Sequence, residues 1–201
     1  MNKLDIEERP QPAEPASRSC GAAGIAPPWF VAGTLLRTLE GDRLVEDLTA
    51  SEAVLTRDHG FQRLHSVRHC QVSDADMTAD PRLRPVEIAP SALGQHQPNL
   101  PLRLLPDHRV LLNGFGSDFP CAARELFVKA SCLLPWDGVS EVPEGAITLV
   151  HLGLAEREIL LSNGAWTDFP LAGDTVPLEA SGAARAGSEH AFEAAPARVW
   201  R

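Results

Sequence analysis

Residues 29–48 read WFVAGTLLRTLEGDRLVEDL, and their pattern sets the fold class. Residues 34–39 suit a strand, Glu40-Gly41-Asp42 supplies turn chemistry, and Arg43-Leu44-Val45 makes a return strand of alternating apolar and polar residues. Successive strand side chains point to opposite faces, so this text predicts a β-hairpin. The same kind of text continues downstream. A short strand over 53–56 meets a turn at Arg57-Asp58-His59-Gly60, and alternation resumes over 61–72 through Leu64, Ser66, Arg68 and Cys70. Further strands are expected over 85–88, 102–105, 109–112, 147–154 and 158–162, with a short helical turn over 90–93 and a strong turn signal at Asn163-Gly164. The polar, acidic stretch 73–84 reads as a loop. One short helix is expected over 121–131, where Ala122, Leu126 and Ala130 recur at i, i+4 and i+8.

Composition agrees with an all-β reading. The 201 residues include 15 Gly and 17 Pro, which cut apolar runs short, while a 44% apolar fraction is enough for one compact domain with tails. With 18 Lys+Arg against 27 Asp+Glu the formal charge is −9, so the average surface repels phosphate and nucleic-acid binding by bulk charge is disfavoured. No run reaches the roughly 18 to 20 apolar residues that cross a bilayer. The stretch 100–112 is interrupted by Arg103, Asp107, His108 and Arg109. Lys3 is followed by Asp5, Glu7, Glu8 and several prolines instead of an apolar segment, so no secretory signal is visible. Residues 1–28 are expected to be a flexible Pro/Ala-rich leader, and residues 176–201 a flexible Ala/Gly/Glu-rich tail. The compact domain between them is expected to span 29–175. Cys20, Cys70, Cys121 and Cys132 show no regular spacing in a chain of this size, and buried or free thiols are expected, with no disulfide.

Four segments, in order, resemble the bacterial branch of the Hint domain family, the hedgehog/intein autoprocessing fold. The stretch 29–48 resembles the family opening, a Cys followed by an aromatic residue, two variable positions, Gly-Thr, a hairpin and Val-Glu-Asp-Leu. AVLTRDHG (53–60) resembles the next strand and turn. PVEIAPSALG (85–94) followed by LPLRLLPDHRVLL (100–112) resembles the central block, in which Ser or Thr stands three residues before His. LVHLGLAEREILLSNGAWTDFP (149–170) resembles the closing block, usually with His where this chain has Glu158. The resemblance implies an all-β, horseshoe-like fold with one short helix, whose ends meet around a buried reaction centre.

It also implies a chemistry. A thiol or hydroxyl on the first residue of the domain attacks the preceding peptide carbonyl and replaces the amide with a more labile thioester or ester. A nearby His protonates the amide nitrogen, and the hydroxyl three residues before it orients the scissile peptide. His108 falls on the family His, so it is the candidate catalytic residue, with a hydrogen-bonded core His as the alternative reading. Leu105 occupies the hydroxyl position and can neither donate nor accept a hydrogen bond. Trp29 occupies the nucleophile position, and indole offers an N–H donor but no nucleophilic heteroatom. Cys20 is the nearest upstream thiol, outside the matching block, and Pro28 would restrict any strained junction with Trp29.

The expectation is therefore a Hint-domain protein with self-cleavage weakened or lost, acting as a binding or assembly domain for an unidentified protein partner. No nucleic-acid or membrane partner and no cofactor or metal is expected. Two other readings stand beside it: self-cleavage with Cys20 as nucleophile and His108 as acid, and a metal-binding β domain built on His59, His65, His69 and Cys70. On a regular strand His65 and His69 share a face while Cys70 points away, which opposes a single zinc site. Asp107 is expected to cap a turn or face solvent, His151 to pack, and Glu156 and Glu158 to lie on a solvated strand face or exposed edge. Trp136, Trp166, Phe119 and Phe169 are assigned to packing or to covering the domain ends, and Cys121 and Cys132 to the core.

Overall fold

The hairpin forms, with its turn one residue earlier than the text suggests. β3 (Leu35–Thr38) and β4 (Gly41–Leu44) pair with Leu35 opposite Leu44 and Thr38 opposite Gly41, so the connection is Leu39-Glu40. Gly41 holds φ +115°, a conformation that side chains with a Cβ rarely adopt, and it ends the turn. Asp42 is thereby released into the strand, where Arg37 Nε donates to it at 2.5 Å.

The structure, a computed structural model, describes residues 18–19, 28–94, 96–113, 125–142 and 145–170. Those residues form two sheets. The first contains, side by side, β1 (Arg18–Ser19), β7 (Ser66–Val72), β13 (Ile147–Gly153), β2 (Phe30–Val31), β9 (Leu102–Leu104), β8 (Val86–Ile88) and β12 (Val139–Glu141). The second runs β11 (Glu125–Lys129), β10 (Arg109–Asn113), β15 (Ala165–Phe169), β14 (Glu158–Ser162), β3, β5 (Ala53–Thr56) and β6 (Gly60–Arg63), with β4 on β3. Pairing is antiparallel throughout except between β1 and β7, which run parallel. Arg18 and Ser19 thus lie in a ladder although they belong to the stretch expected to be a flexible leader. The remainder of that leader through residue 27, the end of the expected domain from 171 to 175, and the tail over 176–201 lie outside the described residues.

The asparagine of the Asn163-Gly164 turn fixes more than one hairpin. Asn163 sits at φ +46°, a left-handed conformation in which Asn is among the most tolerated residues with a side chain. Its Oδ1 accepts from the Leu35 N–H at 2.7 Å and its Nδ2 donates to the Pro101 carbonyl at 2.6 Å. Its backbone N–H donates to the Leu35 carbonyl at 3.0 Å, and its carbonyl accepts from the Asn99 N–H at 2.8 Å. One 5% exposed residue therefore joins the β14–β15 turn to β3 and to the segment before β9.

Three expectations are corrected. Of the stretch 121–131, residues 125–129 are a strand and a 3-10 helix begins at Ala130: all five residues of β11 pair with β10, and Leu126, Val128 and Ala130 pack toward the cluster around Leu104 and Val110 with period two. Spacing of four is compatible with both periods, and the neighbouring strand decides. Residues 121–124, including Cys121, and Phe119 lie outside the described residues. The α-helix among the described residues is α1 (Asp74–Ala79), inside the expected loop. It is started by a capping box in which Ser73 Oγ accepts from the Asp76 N–H and Asp76 Oδ2 accepts from the Ser73 N–H, and buried Met77 anchors it. Finally, the cysteines do not all remain core thiols. Cys70 is buried and disulfide-bonded, while Cys132 is free and exposed.

Asn163→Ala removes two side-chain hydrogen bonds and places Ala in a left-handed conformation. It is expected to lower unfolding stability by about 2–4 kcal/mol, read from the urea midpoint at unchanged m-value.

Candidate functional site

The candidate centre is made where the start and the end of the ordered region meet. β2 begins one residue after Trp29 and lies between β13 and β9, with Phe30 opposite Val150 and Leu104. After β9 the chain turns through Leu105-Pro106-Asp107-His108, closed by the His108 N–H donating to the Leu105 carbonyl at 2.9 Å. The next segment clamps this turn: the Ala130 N–H donates to the His108 carbonyl at 2.9 Å and the Ser131 N–H to the Pro106 carbonyl at 3.0 Å. Val110 is opposite Thr167, so the antiparallel register carries Arg109 to Asp168 and His108 to Phe169.

The outcome is an aromatic cluster around His108. Its ring centroid lies 5.2 Å from that of Phe30, and Phe30 stacks on Phe169 at 5.4 Å with planes 4° apart. His108 is 2% exposed, and neither ring nitrogen has a hydrogen-bond partner among the described residues. Burial pushes the imidazole down to about 4, because a charged ring loses hydration there. The backbone of Trp29, and the carboxylate and backbone of Asp168, oppose that shift without giving either nitrogen a bond of good geometry. His108 is neutral at pH 7.

Trp29 and Leu105 complete the centre as apolar groups, 6% and 4% exposed, in one cluster with Val31, Cys70, Val72 and Leu149. His151 packs edge-on against Trp29 at 5.2 Å and lies 6.0 Å from Phe169. Arg68 Nη2 stands 3.3 Å from His151 Nδ1, which places the His151 proton on Nε2, and its guanidinium lies 5.9 Å from the Trp29 ring centroid. Burial, then the Arg68 charge, push His151 down to about 4.

Asp168 and His151 are the groups of this centre that the sequence reading gave no chemical place. Asp168 is 1% exposed and accepts two bonds from Arg157, both at 2.9 Å, with Arg109 at 3.8 Å. A register extrapolated from the Asn163-Gly164 turn was the available signal, since Ser162 opposite Ala165 carries Ile159 to Asp168 and puts Arg157 nearby. His151 had no local signal.

The other flagged residues lie elsewhere. Asp107 turns outward to Lys129 at 3.1 Å, as a solvent-facing turn carboxylate. Glu158 is a correction: far from being solvated, it is buried, with His59 Nδ1 3.1 Å from both carboxylate oxygens. The bond to Glu158 and its charge raise the His59 pKa. His69 Nε2 donates to the Glu46 carbonyl at 3.1 Å, and His65 is exposed. The sequence cluster His59, His65, His69 and Cys70 is thus dispersed, and no group of three or more His, Cys, Asp or Glu that could hold a metal occurs among the described residues. Cys20 lies outside them.

His108 gives a pH test with a defined sign. The unfolded ring titrates near 6.5 and the folded ring near 4, so between those values unfolding takes up a proton and stability falls as pH falls. Between pH 7 and pH 5 the loss attributable to this residue is expected to be about 2 kcal/mol. His151 acts in the same direction and His59 in the opposite one, so the measurement is the difference between the urea-unfolding pH slopes of wild type and His108→Gln.

A bacterial intein-like domain from Clostridium thermocellum superposes with a TM-score of 0.47 at 10% identity, covering 72% of this chain and 99% of that one. The gp41-1 intein superposes at 0.40 with 11% identity, covering 70% and 98%. No curated protein matches the sequence. The model of the Hint domain matches residues 28–174, from the residue before Trp29 to just beyond β15, and the chain accordingly belongs to the Hint domain family and carries its all-β fold.

Proposed function

We propose that this chain is a Hint-domain protein that has lost the acyl shift and retains the fold, over residues 29–175 between a leader and a tail, as a binding or assembly module for a protein partner. The observation that supports this reading is the filling of the centre. Where the family's chemistry needs a nucleophilic atom and an orienting hydroxyl, this chain packs an indole and a leucine, both buried against Val31 and Leu149. In this reading His108 is a packing group. A neutral imidazole with a pKa of about 4 is a poor proton donor at pH 7, because the protonated form is scarce.

One observation favours a second reading. The Trp29 backbone lies close enough to His108 to oppose the downward shift of its titration, so the residue at the family's nucleophile position stands beside the family's acid. Self-cleavage through another nucleophile, with Cys20 as the candidate and His108 as acid, is that reading.

Intact mass separates the two. The freshly purified chain, reduced before measurement, is expected to keep its full mass of 21.7 kDa over days, with or without hydroxylamine or an added thiol. A fragment beginning at Trp29 that disappears in His108→Ala and Cys20→Ala establishes the second reading instead. Trp29→Cys alone is expected to yield no hydroxylamine-trappable thioester, because Leu105 still supplies no hydroxyl and Pro28 still precedes the junction.

A further inference from the structure

We infer that β6 is a pairing edge for a second copy of this chain: the β6 strands of two copies join antiparallel about a two-fold axis at Gln62, which sets Phe61 of each copy opposite Arg63 of the other. The inference gives the assembly reading above a surface and a partner, and it rests on that reading for its role. β6 closes the second sheet, and among the described residues no strand lies beyond it. Phe61 is 42% exposed, and Gly60 and Arg63 are exposed beside it.

The backbone of β6 has a used side and an unused one. The Leu64 N–H donates to the Glu52 carbonyl at 2.8 Å, and the Gly60 carbonyl accepts from Thr56 Oγ1 at 2.8 Å, so positions 60, 62 and 64 turn their backbone groups toward β5. Orientation alternates along a strand, and Phe61 and Arg63 therefore direct their N–H and carbonyl groups away from the sheet. The side chains make a row that ends at the same place. Phe61 is opposite Leu55; Thr56 is opposite Leu160, which carries Leu55 to Leu161; and Leu161 is opposite Trp166. These four lie on the face turned away from buried Val54, Thr56 and Leu160, and they belong to none of the buried apolar clusters. The row runs out into water at Phe61.

A second copy meets both features with complementary groups. Free edges are commonly protected by Pro, Lys or a bulge, and β6 (Gly60–Arg63) carries Arg63 alone. With the axis at Gln62, the outward groups of Phe61 and Arg63 in each copy face those of Arg63 and Phe61 in the other, two pairs that exchange two hydrogen bonds each. Arg63, whose Nη1 donates to the Ser51 carbonyl at 3.2 Å, then stands across from an aromatic ring, and a ring face attracts a guanidinium. An axis at Arg63 would oppose two like charges, and an axis at Phe61 would set Arg63 opposite His59, outside the strand. So short an edge buries less than the roughly 1,200 Å² of a standard interface, and the dimer is expected to be weak, with Kd on the order of 100 µM.

The test is sedimentation equilibrium of the full chain from about 10 µM to about 1 mM, after iodoacetamide has blocked the exposed thiol of Cys132. The mass is expected to rise with concentration from 21.7 kDa toward twice that value. Phe61→Arg opposes two positive charges and is expected to weaken association by about tenfold or more, whereas Phe61→Glu sets a carboxylate against the Arg63 of the other copy and keeps it. Phe61→Arg combined with Arg63→Glu restores association. Because Phe61 is exposed, each variant is expected to keep the wild-type circular dichroism and unfolding midpoint. A mass fixed at 21.7 kDa across the whole range overturns the inference, and so does equal weakening by Phe61→Glu and Phe61→Arg. Neither result bears on the acyl shift, since a chain that cleaves itself can still pair through β6 and an intact one can remain monomeric.

Discussion

Phe30 is the residue on which the rest of this structure depends. It belongs to a strand of two residues, β2, held between β13 and β9 in the first sheet, yet its ring packs with Leu36, Val54 and Leu160 of the second. Burying a phenylalanine contributes about 1.5–3 kcal/mol, and a stacked aromatic partner adds roughly 0.5–1.5. Because that partner is Phe169, the last residue of β15, the beginning and the end of the domain must meet. The turn after β9 then delivers His108 against the Phe30 ring. Closure and the position of the centre are one event of packing.

That event also sets the electrostatics. An imidazole buried against Phe30, with no hydrogen-bond partner among the described residues, is held neutral at an expense of about 1–3 kcal/mol. The neighbouring carboxylate of Asp168 does not restore its charge, because Arg157 and Arg109 already occupy it. Arg68 adds positive charge on the other side, beside His151 and Trp29. Apolar rings and aliphatic side chains thus fill the centre, and Arg68 and Arg157 stand at its edges. The buried Glu158, with His59 at its open side, is a separate pair on the β5–β6 turn.

The strands were legible wherever a period-two pattern ran between turn residues: 53–56 and 158–162 match β5 and β14 in full, and the hairpin over 34–45 missed only the placement of its turn. Elements whose identity is set by a neighbour were not. β11 reads as helix in isolation because Ala122, Leu126 and Ala130 suit a period near four, and only its ladder with β10 selects the other period. α1 was overlooked because its capping box uses Asp76 in place of Glu or Gln. His108, Trp29 and Leu105 were flagged from the sequence because their blocks are contiguous in it. Asp168 and His151 enter through register, and Glu158 looked exposed until β14 was placed beside β5.

By itself the sequence determined the chemical inventory: an indole at position 29, a leucine at 105, a histidine at 108 after an interrupted strand, and alternation that permits only short strands. These are properties of side chains and of nearest-neighbour pattern, fixed before folding. Only the tertiary structure decided what that histidine feels, since burial against Phe30 lowers its pKa while the Trp29 backbone and Asp168 of β15 oppose the shift. It likewise decided that Cys70 is no longer a thiol. The reason is the same in both cases: dielectric, partner and proximity are set by residues that the antiparallel ladders bring from far along the chain, and no local window contains them.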